Sequence, residues 1–249
     1  MKTRSPKKTR LDMALVERGL VESRQKAQAM ILAGQVFVNG QKADKAGQTI
    51  AADARVELTG AVMPYVSRGG MKLEGALEDF AVNPAGLVCI DVGSSTGGFT
   101  DCLLQRGAAR VYSVDVSADQ LAWKLRRDSR VRIIEKNARF LQPQDLPEPA
   151  QLVTIDLSFI STAKVLPALV PLARPGAQWL ILVKPQFELE RGDVGKGGIV
   201  RDAALHRKAV ERVEQAAGSF GLTVRGVKPS RLSGAEGNQE FFLHAFTRS

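Results

Sequence analysis

The stretch Leu87-Val-Cys-Ile-Asp91-Val-Gly93-Ser-Ser-Thr-Gly97-Gly98-Phe-Thr100 leaves this chain few folds to choose from. A short apolar run ends in a carboxylate, turns through glycines and enters Phe99–Gln105, which reads as a helix. A buried strand feeding a glycine turn and a helix opens a parallel α/β sheet, where backbone can approach a nucleotide-like ligand closely. A phosphate loop needs Gly-Lys-Ser/Thr at its end, yet Phe99 and Thr100 follow Gly98. Glycines at 93, 97 and 98 do not spell the dinucleotide pattern either. Asp91, just ahead of the turn, would repel a pyrophosphate but suits the sulfonium and amine of S-adenosylmethionine. A second strand, 110–115, ends in Asp115, twenty-four residues after Asp91. That is close to the roughly 20-residue offset at which an acid meets a pair of ribose hydroxyls. A glycine turn with no ligand is the plainer alternative, and the two spaced strand-end carboxylates argue against it. The expected cofactor contacts are Asp91, Gly93, Ser94, Ser95, Thr96, Gly97, Gly98, Phe99, Thr100 and Asp115, joined by Asp156 at a later strand end.

From that stretch onward strands alternate with helices. Strands are expected at 87–91, 110–115, 131–134, 151–155 and 178–183, and helices at about 98–106, 118–126, 162–169 and 202–218. Residues 222–228 and 240–246 have no helix between them and predict an antiparallel hairpin at one sheet edge. The pattern is a doubly wound α/β sheet of the methyltransferase type. The glycine-rich run Gly192-Asp-Val-Gly-Lys-Gly-Gly198 reads as a flexible loop, a candidate lid over the substrate.

The composition is that of a soluble globular chain, 44% hydrophobic and 24% charged, and the net charge of +9 favours a polyanionic partner. The excess is uneven: residues 1–60 hold eleven Lys/Arg against six Asp/Glu. Cys89 and Cys102 fall within the strand and the first helix of the glycine unit and read as reduced, buried and structural. His206 and His244 stand alone, so no metal site is expected. The start of the chain is basic without an apolar core, and no run approaches the ~18 residues that cross a membrane. A cytoplasmic protein with no membrane partner is expected, monomeric by default.

Residues 1–9 read as a disordered basic arm, and residues 10–60 as a small α+β module. Arg10–Arg18 forms a short amphipathic helix stopped by Gly19, and Ser23 caps a second helix that ends at Gly34. Gln35–Val38 leads into the Asn39-Gly40 turn, with further short strands at Thr49-Ile50 and 55–58. The order of elements and the run Ser23-Arg-Gln-Lys-Ala…Gly34-Gln-Val-Phe-Val-Asn-Gly40 resemble the S4 RNA-binding domain. The resemblance implies that Arg10, Arg18, Ser23, Arg24 and Lys26 face RNA phosphates, where shape rather than base edges decides the fit. Residues 61–70 read as a Pro- and Gly-containing linker, with Arg68 as a further RNA contact, and 71–249 as the α/β domain.

Asp156 and Lys184 each follow a strand, so both belong on the rim of the sheet that faces ligand. Glu240 opens the last strand, and Lys72 lies on a helix ahead of the first. A salt-bridged sheet edge would explain such charges equally well. The four residues resemble the Lys-Asp-Lys-Glu tetrad of the FtsJ-like 2′-O-ribose methyltransferases, and the whole chain resembles the TlyA-type proteins, which join an S4 domain to that fold. Ser67-Arg-Gly-Gly-Met-Lys-Leu73, Val183-Lys-Pro-Gln-Phe187 and Gly195-Lys-Gly-Gly-Ile-Val200 carry the resemblance alongside the glycine loop. It implies methyl transfer from S-adenosylmethionine to the 2′-hydroxyl of cytidine in ribosomal RNA or ribosomal subunits. Some members of the family are also labelled hemolysins.

Within that resemblance, Lys184 is the candidate base and Lys72 the neighbouring cation that also binds the attacking oxygen. Asp156 would orient Lys184, and Glu240 would hold Lys72 or the ribose in line. Burial and a second cation favour the neutral amine that a base needs, whereas two carboxylates oppose it, so the base is open at this stage. Base methylation fits less well, because Asp156-Leu-Ser-Phe159 lacks the prolines of amine methyltransferases and neither cysteine sits in a suitable loop. Two alternatives stand: a non-catalytic RNA-binding assembly factor, disfavoured by the intact tetrad, and a membrane-active hemolysin, disfavoured by the absence of a cationic amphipathic helix of suitable length.

Overall fold

The computed structural model describes residues 8–58, 63–190, 192–234 and 237–248. The chain divides into two compact units, residues 1–62 and 63–249.

The first unit carries β1 (Lys8–Arg10), α1 (Leu11–Glu17), α2 (Arg24–Leu32), β2 (Val36–Val38), β3 (Gln41–Lys42), β4 (Thr49–Ala51) and β5 (Val56–Leu58). Leu11, Leu15, Ala27, Ile31, Val36 and Ile50 close its core. The expected disordered arm needs correction at its end. Lys8 and Thr9 form β1 with Arg10 and pair with β4, because the backbone of β4 would otherwise present an unpaired edge. Residues 1–7 lie outside the described residues.

The second unit begins with α3 (Arg68–Asp79), β6 (Val88–Val92), α4 (Gly98–Gln105), β7 (Arg110–Asp115), α5 (Trp123–Arg126) and β8 (Val131–Glu135). It continues through β9 (Ala150–Ile155), α6 (Leu166–Leu169), β10 (Ala173–Val183), α7 (Pro185–Glu188), α8 (Ala203–Ser219), β11 (Leu222–Pro229) and β12 (Phe241–Thr247). The sheet order is β11-β12-β10-β9-β6-β7-β8. The run from β10 to β8 is parallel, and β12 lies antiparallel between β10 and β11. The direction of winding reverses between β6 and β9, which places a ligand crevice at their carboxyl ends.

Alternation along the strands sorts the core. Ile90, Val92, Val153, Ile155 and the fully buried Trp179 pack on one face, beneath α6 and α8. Cys89, Val111, Leu152, Leu180 and Phe242 pack on the other, with Leu73 and Leu77 of α3 and Leu103 of α4. Both cysteines are free and buried, as expected, and burial pushes each thiol up to about 12.

Four local expectations change or gain detail. Arg68, Gly69 and Gly70, expected in the linker, are the first turn of α3. Gly70 starts the helix inside the fold because the Tyr65 ring occupies the space where a Cβ would stand, 2.3 Å from its Cγ. The helices expected at 118–126 and 162–169 are each a 3-10 turn, 118–120 or 162–164, followed by a single helical turn. Within the expected hairpin, β12 inserts into the sheet and β11 takes the edge. β10 also starts five residues before the expected position 178, with a bulge between Ala173 and Gln178.

Candidate active site

The glycine loop is shaped by close backbone contacts. Gly93 has φ +86°, and a Cβ there would lie 2.3 Å from the backbone oxygen of Asp156, just past the end of β9. At Gly98 a Cβ would lie 2.8 Å from the backbone nitrogen of Gly70, so α3 and α4 meet through glycine on both sides. Two cavities open on this loop. One, of about 200 Å³, is lined by Ser67, Arg68, Gly69, Lys72, Gly93, Ser94, Ser95, Thr96, Gly98, Phe99, Asp156 and Ser233. The other, of about 580 Å³, runs from Gly93 and Ser95 past Asp115 to Lys136, Asn137, Arg139 and the 156–160 segment. Its volume is that of a small-molecule site.

Most of the expected cofactor residues line these cavities, but Asp91, Gly97 and Thr100 do not. Asp91 is fully buried one layer beneath the loop, where it accepts a hydrogen bond from the Thr100 hydroxyl at 2.7 Å. The alternation that turns Ile90 and Val92 to one face turns Asp91 to the other, against the start of α4. The Cβ direction of Gly97 is closed by Leu125 and Leu121, so it serves the packing of the loop. Asp115 does reach the larger cavity, with its carboxylate fixed by the backbone N–H groups of Ser95 (2.8 Å) and Ser117 (3.2 Å).

Burial holds the Asp91 carboxyl at about 7, against the hydrogen bond from Thr100 and aided by the negative charge of Asp156. Between the ordinary carboxylate range and about pH 7 the folded state therefore binds more protons than the unfolded chain. Stability falls as pH rises through that window. Asp91→Asn is expected to remove this slope, so its melting temperature gains on the parent between pH 5 and pH 8. Parallel pH dependences in thermal melts would contradict the assignment.

The tetrad forms two ion pairs at the crevice. Lys72 Nζ lies 2.5 Å from Glu240 Oε2, both side chains nearly buried. Lys184 Nζ lies 2.5 Å from Asp156 Oδ1 and donates to Ser158 Oγ at 3.0 Å. The Asp156 contact has ion-pair distance without hydrogen-bond direction, since Oδ1 has no hydrogen-bond partner among the described residues. Lys72 reaches the site because it shares the inward face of α3 with Leu73, Ala76 and Leu77. Asp156 and Lys184 follow parallel strands and Glu240 precedes the antiparallel β12, so all three share one rim. Lys72, Lys184 and Glu240 together line a third cavity of about 430 Å³ with Ser158, Phe159, Phe187 and part of the 192–198 glycine loop. Lys72 is shared with the smaller loop cavity, and Ser158 and Phe159 with the larger, so the tetrad stands where the three meet.

Sequence reasoning missed Ser158, which carries no signal of its own in the run Asp156-Leu-Ser-Phe159. It also missed Phe159, whose ring is 92% exposed at φ +65° and tilts against Phe187 at 5.1 Å. A third omission is the buried Asn238. Its Oδ1 accepts from Val200 N at 2.8 Å, and its Nδ2 donates to the Gly198 carbonyl at 2.9 Å, tying the glycine loop to the segment before Glu240. Nothing in an isolated Gly-Asn-Gln tripeptide signals that link. Asn238→Ala would strand two backbone groups at about 1–3 kcal/mol. We expect a melting temperature lower by about 2–10 °C and faster proteolysis within 192–198. An unchanged digestion rate would count against the tether.

In the first unit, two of the predicted RNA-facing residues, Arg10 and Arg24, are organised by a carboxylate that the sequence did not single out. Asp12 is completely buried, and its oxygens take hydrogen bonds from Arg10 (2.9 and 3.0 Å), Arg24 (2.8 Å) and Gln28 (3.0 Å). The Arg10 bond, chiefly, holds its carboxyl far below the usual range. Arg10 and Arg24 keep half-exposed guanidinium groups. Arg18 instead donates to the carbonyls of Ala54 and Ala52, which ties the end of α1 to the turn between β4 and β5. Ser23 accepts from Lys26 N at 3.2 Å as the cap of α2, and Lys26 pairs with Glu22 at 3.6 Å. Arg68 belongs to the second unit and lines the smaller loop cavity.

With this geometry in hand, comparison with known proteins is specific. Residues 65–246 match the FtsJ-like methyltransferase model, and residues 9–56 match the S4 domain. The chain belongs to the FtsJ-like methyltransferase family. It is 47% identical over 245 residues to the 16S/23S rRNA (cytidine-2′-O)-methyltransferase TlyA of Mycobacterium tuberculosis, covering 98% of this chain and 91% of that one. It is 42% identical over 237 residues to Hemolysin A of Brachyspira hyodysenteriae, covering 94% and 98%. Among solved structures, the N1-methyltransferase of Burkholderia thailandensis that holds S-adenosylhomocysteine shares the fold at a TM-score of 0.53 and 15% identity, over 73% of this chain and 79% of that one. No helix among the described residues is long and apolar enough to cross a membrane, and no metal-binding group of His, Cys, Asp or Glu occurs among them.

Proposed function

We propose that this chain is an S-adenosylmethionine-dependent methyltransferase that modifies the 2′-hydroxyl of cytidine in ribosomal RNA. The observation that carries the reading is the meeting of Lys72, Asp156, Lys184 and Glu240 at the junction of three cavities beside a glycine loop. The substrate class is carried over from relatives named for cytidine-2′-O methylation of ribosomal RNA.

The residues fit the cofactor. The larger cavity has the size for an adenosyl group and Asp115, the strand-end acid, lines it, while Gly93 and Gly98 let the loop close against Asp156 and α3 and so set the cavity wall. When bound, S-adenosylmethionine supplies the electrophilic methyl group. Gly93, Ser95 and Asp115 would hold it, with Asp156 facing its reactive end.

A ribose hydroxyl is a weak nucleophile at neutral pH, so a side chain must accept its proton as the oxygen attacks. In our reading Lys184 accepts it, held in place by Asp156 and Ser158. Lys72 donates to the same oxygen and is fixed by Glu240, so the nucleophile meets two nitrogens whose positions are already set. The exposed ring of Phe159 at the mouth of the tetrad cavity offers the substrate base an apolar face. The Arg10–Asp12–Arg24 cluster gives the S4 unit a preorganised pair of guanidinium groups for RNA phosphate. A ribosomal substrate entails action where ribosomes are made, in the cytoplasm. The test is transfer of labelled methyl to unmodified ribosomal RNA or subunits, followed by mapping of 2′-O-methylcytidine. RNA binding without transfer would favour an assembly factor instead.

A further inference from the structure

The run Trp123-Lys-Leu-Arg-Arg-Asp-Ser-Arg-Val-Arg132 holds five cations against one acid and belongs to none of the sites described above. All five cations are exposed, and Trp123 is 69% exposed. Exposed tryptophan is costly for a soluble surface and marks interaction sites when set among charges. The inner side of α5 explains its placement: Leu121 and Leu125 are buried against Gly97 of the glycine loop, and Ala122 N donates to Thr96 O at 3.1 Å. That packing turns Trp123, Arg126 and Arg127 outward.

The cations are not equivalent. Lys124 is paired with Asp101 at 2.9 Å and Arg130 with Asp128 at 2.7 Å. Among the described residues Arg126 and Arg127 have no ion pair, and Arg127 lies over the Trp123 ring at 5.5 Å from its centroid. Among the described residues Arg132 donates only to the carbonyls of Ser129 and Val131. Three arginines thus keep their charge for a partner around one exposed aromatic face.

We propose that the outer face of α5 and the start of β8 form a second RNA-docking surface, with backbone phosphates on Arg126, Arg127 and Arg132 and one unpaired base stacked on Trp123. Arginine with an interleaved aromatic is the chemistry that holds single-stranded RNA. A membrane surface fits poorly, since α5 is a single turn with no broad apolar face. The surface adjoins the loop that bears Thr96, a wall of the smaller cavity, so a strand whose ribose enters the site can continue onto it. This last step rests on the methyltransferase reading; the docking itself does not.

The full-length chain is tested against in vitro transcribed 16S and 23S ribosomal RNA by binding titrations at several salt concentrations. Trp123→Ala is expected to weaken binding about 5- to 150-fold, with Trp123→Phe retaining most of it. The triple change Arg126→Gln, Arg127→Gln, Arg132→Gln is expected to reduce the salt dependence, in log–log slope, by about 2–3. Melting temperature and S-adenosylmethionine affinity should match the parent, because every altered side chain is exposed. Unchanged RNA affinity in either variant overturns the proposal. So does loss confined to the arginine variant, which marks a nonspecific cationic face, or loss of binding to phosphatidylglycerol vesicles with RNA binding intact. If the parent binds RNA but transfers no methyl, the methyltransferase reading fails while the docking result stands.

Discussion

Lys184→Ala is expected to lower methyl transfer by about 10²–10⁴-fold, the range over which a positioned base contributes, while S-adenosylmethionine still binds. The separation follows from placement. Lys184 lines the cavity it shares with Lys72 and Glu240, and it is not a wall of the larger cavity that would take the adenosyl group. Removing it leaves Asp156, which keeps 22% of its side-chain surface exposed and can be solvated, so the fold should survive. Lys184→Arg makes the comparison sharper. A guanidinium preserves the charge beside Asp156 but does not deprotonate in a protein, so it should be as inactive as alanine. Single-turnover transfer of labelled methyl, with cofactor affinity measured by calorimetry, reads both outcomes. Recovery of turnover by arginine would show that Lys184 supplies charge alone, and normal turnover in the alanine variant would remove it from the chemistry.

Gly93→Ala should abolish cofactor binding. The residue adopts φ +86°, and its new Cβ would meet the backbone oxygen of Asp156 at 2.3 Å. The left-handed conformation alone costs about 1–3 kcal/mol. The clash adds to this, because the Asp156 carbonyl follows directly on β9, with its own N–H bonded to Val92 O at 2.9 Å, and cannot swing aside as a flexible side chain would. For a unit of this size each kcal/mol lowers the melting temperature by about 2–4 °C, so a loss of roughly 5–10 °C is expected in the absence of ligand. Displacing the loop also moves Asp156, one partner of Lys184. Differential scanning calorimetry with and without S-adenosylmethionine checks both parts. A variant that melts like the parent and is still stabilised by cofactor would show that the loop has room the present geometry denies it.

The α/β class and the position of the ligand crevice were legible in one line of residues. Asp91 to Thr100 could serve only as a strand end, a turn and a helix start, and the strand-end acid Asp115 marked the neighbouring strand. The members of the tetrad were legible through family resemblance, since spacing alone also allowed a salt-bridged edge. Asp91 and Arg18 lie elsewhere than their sequence positions suggest, for a common reason. A charged residue beside a motif looks ligand-facing in a linear text, and only the pleat of β6 turns Asp91 beneath the loop, as only the turn between β4 and β5 gives Arg18 its carbonyls.

Local chemistry in the chain determined where the strands stop and where the glycine turn falls, because those choices depend on neighbours a few residues away, whereas the contacts that keep Gly93 and Gly98 small come from Asp156 and Gly70. The pairing of Lys72 with Glu240, 168 positions apart, was decided by tertiary structure, as was the clasp of Asn238 on Gly198 and Val200. The first needs the inserted strand β12 and helix α3 on the same rim, the second the glycine loop laid against the segment before β12, and no local propensity encodes a contact between groups that meet only once the sheet has closed.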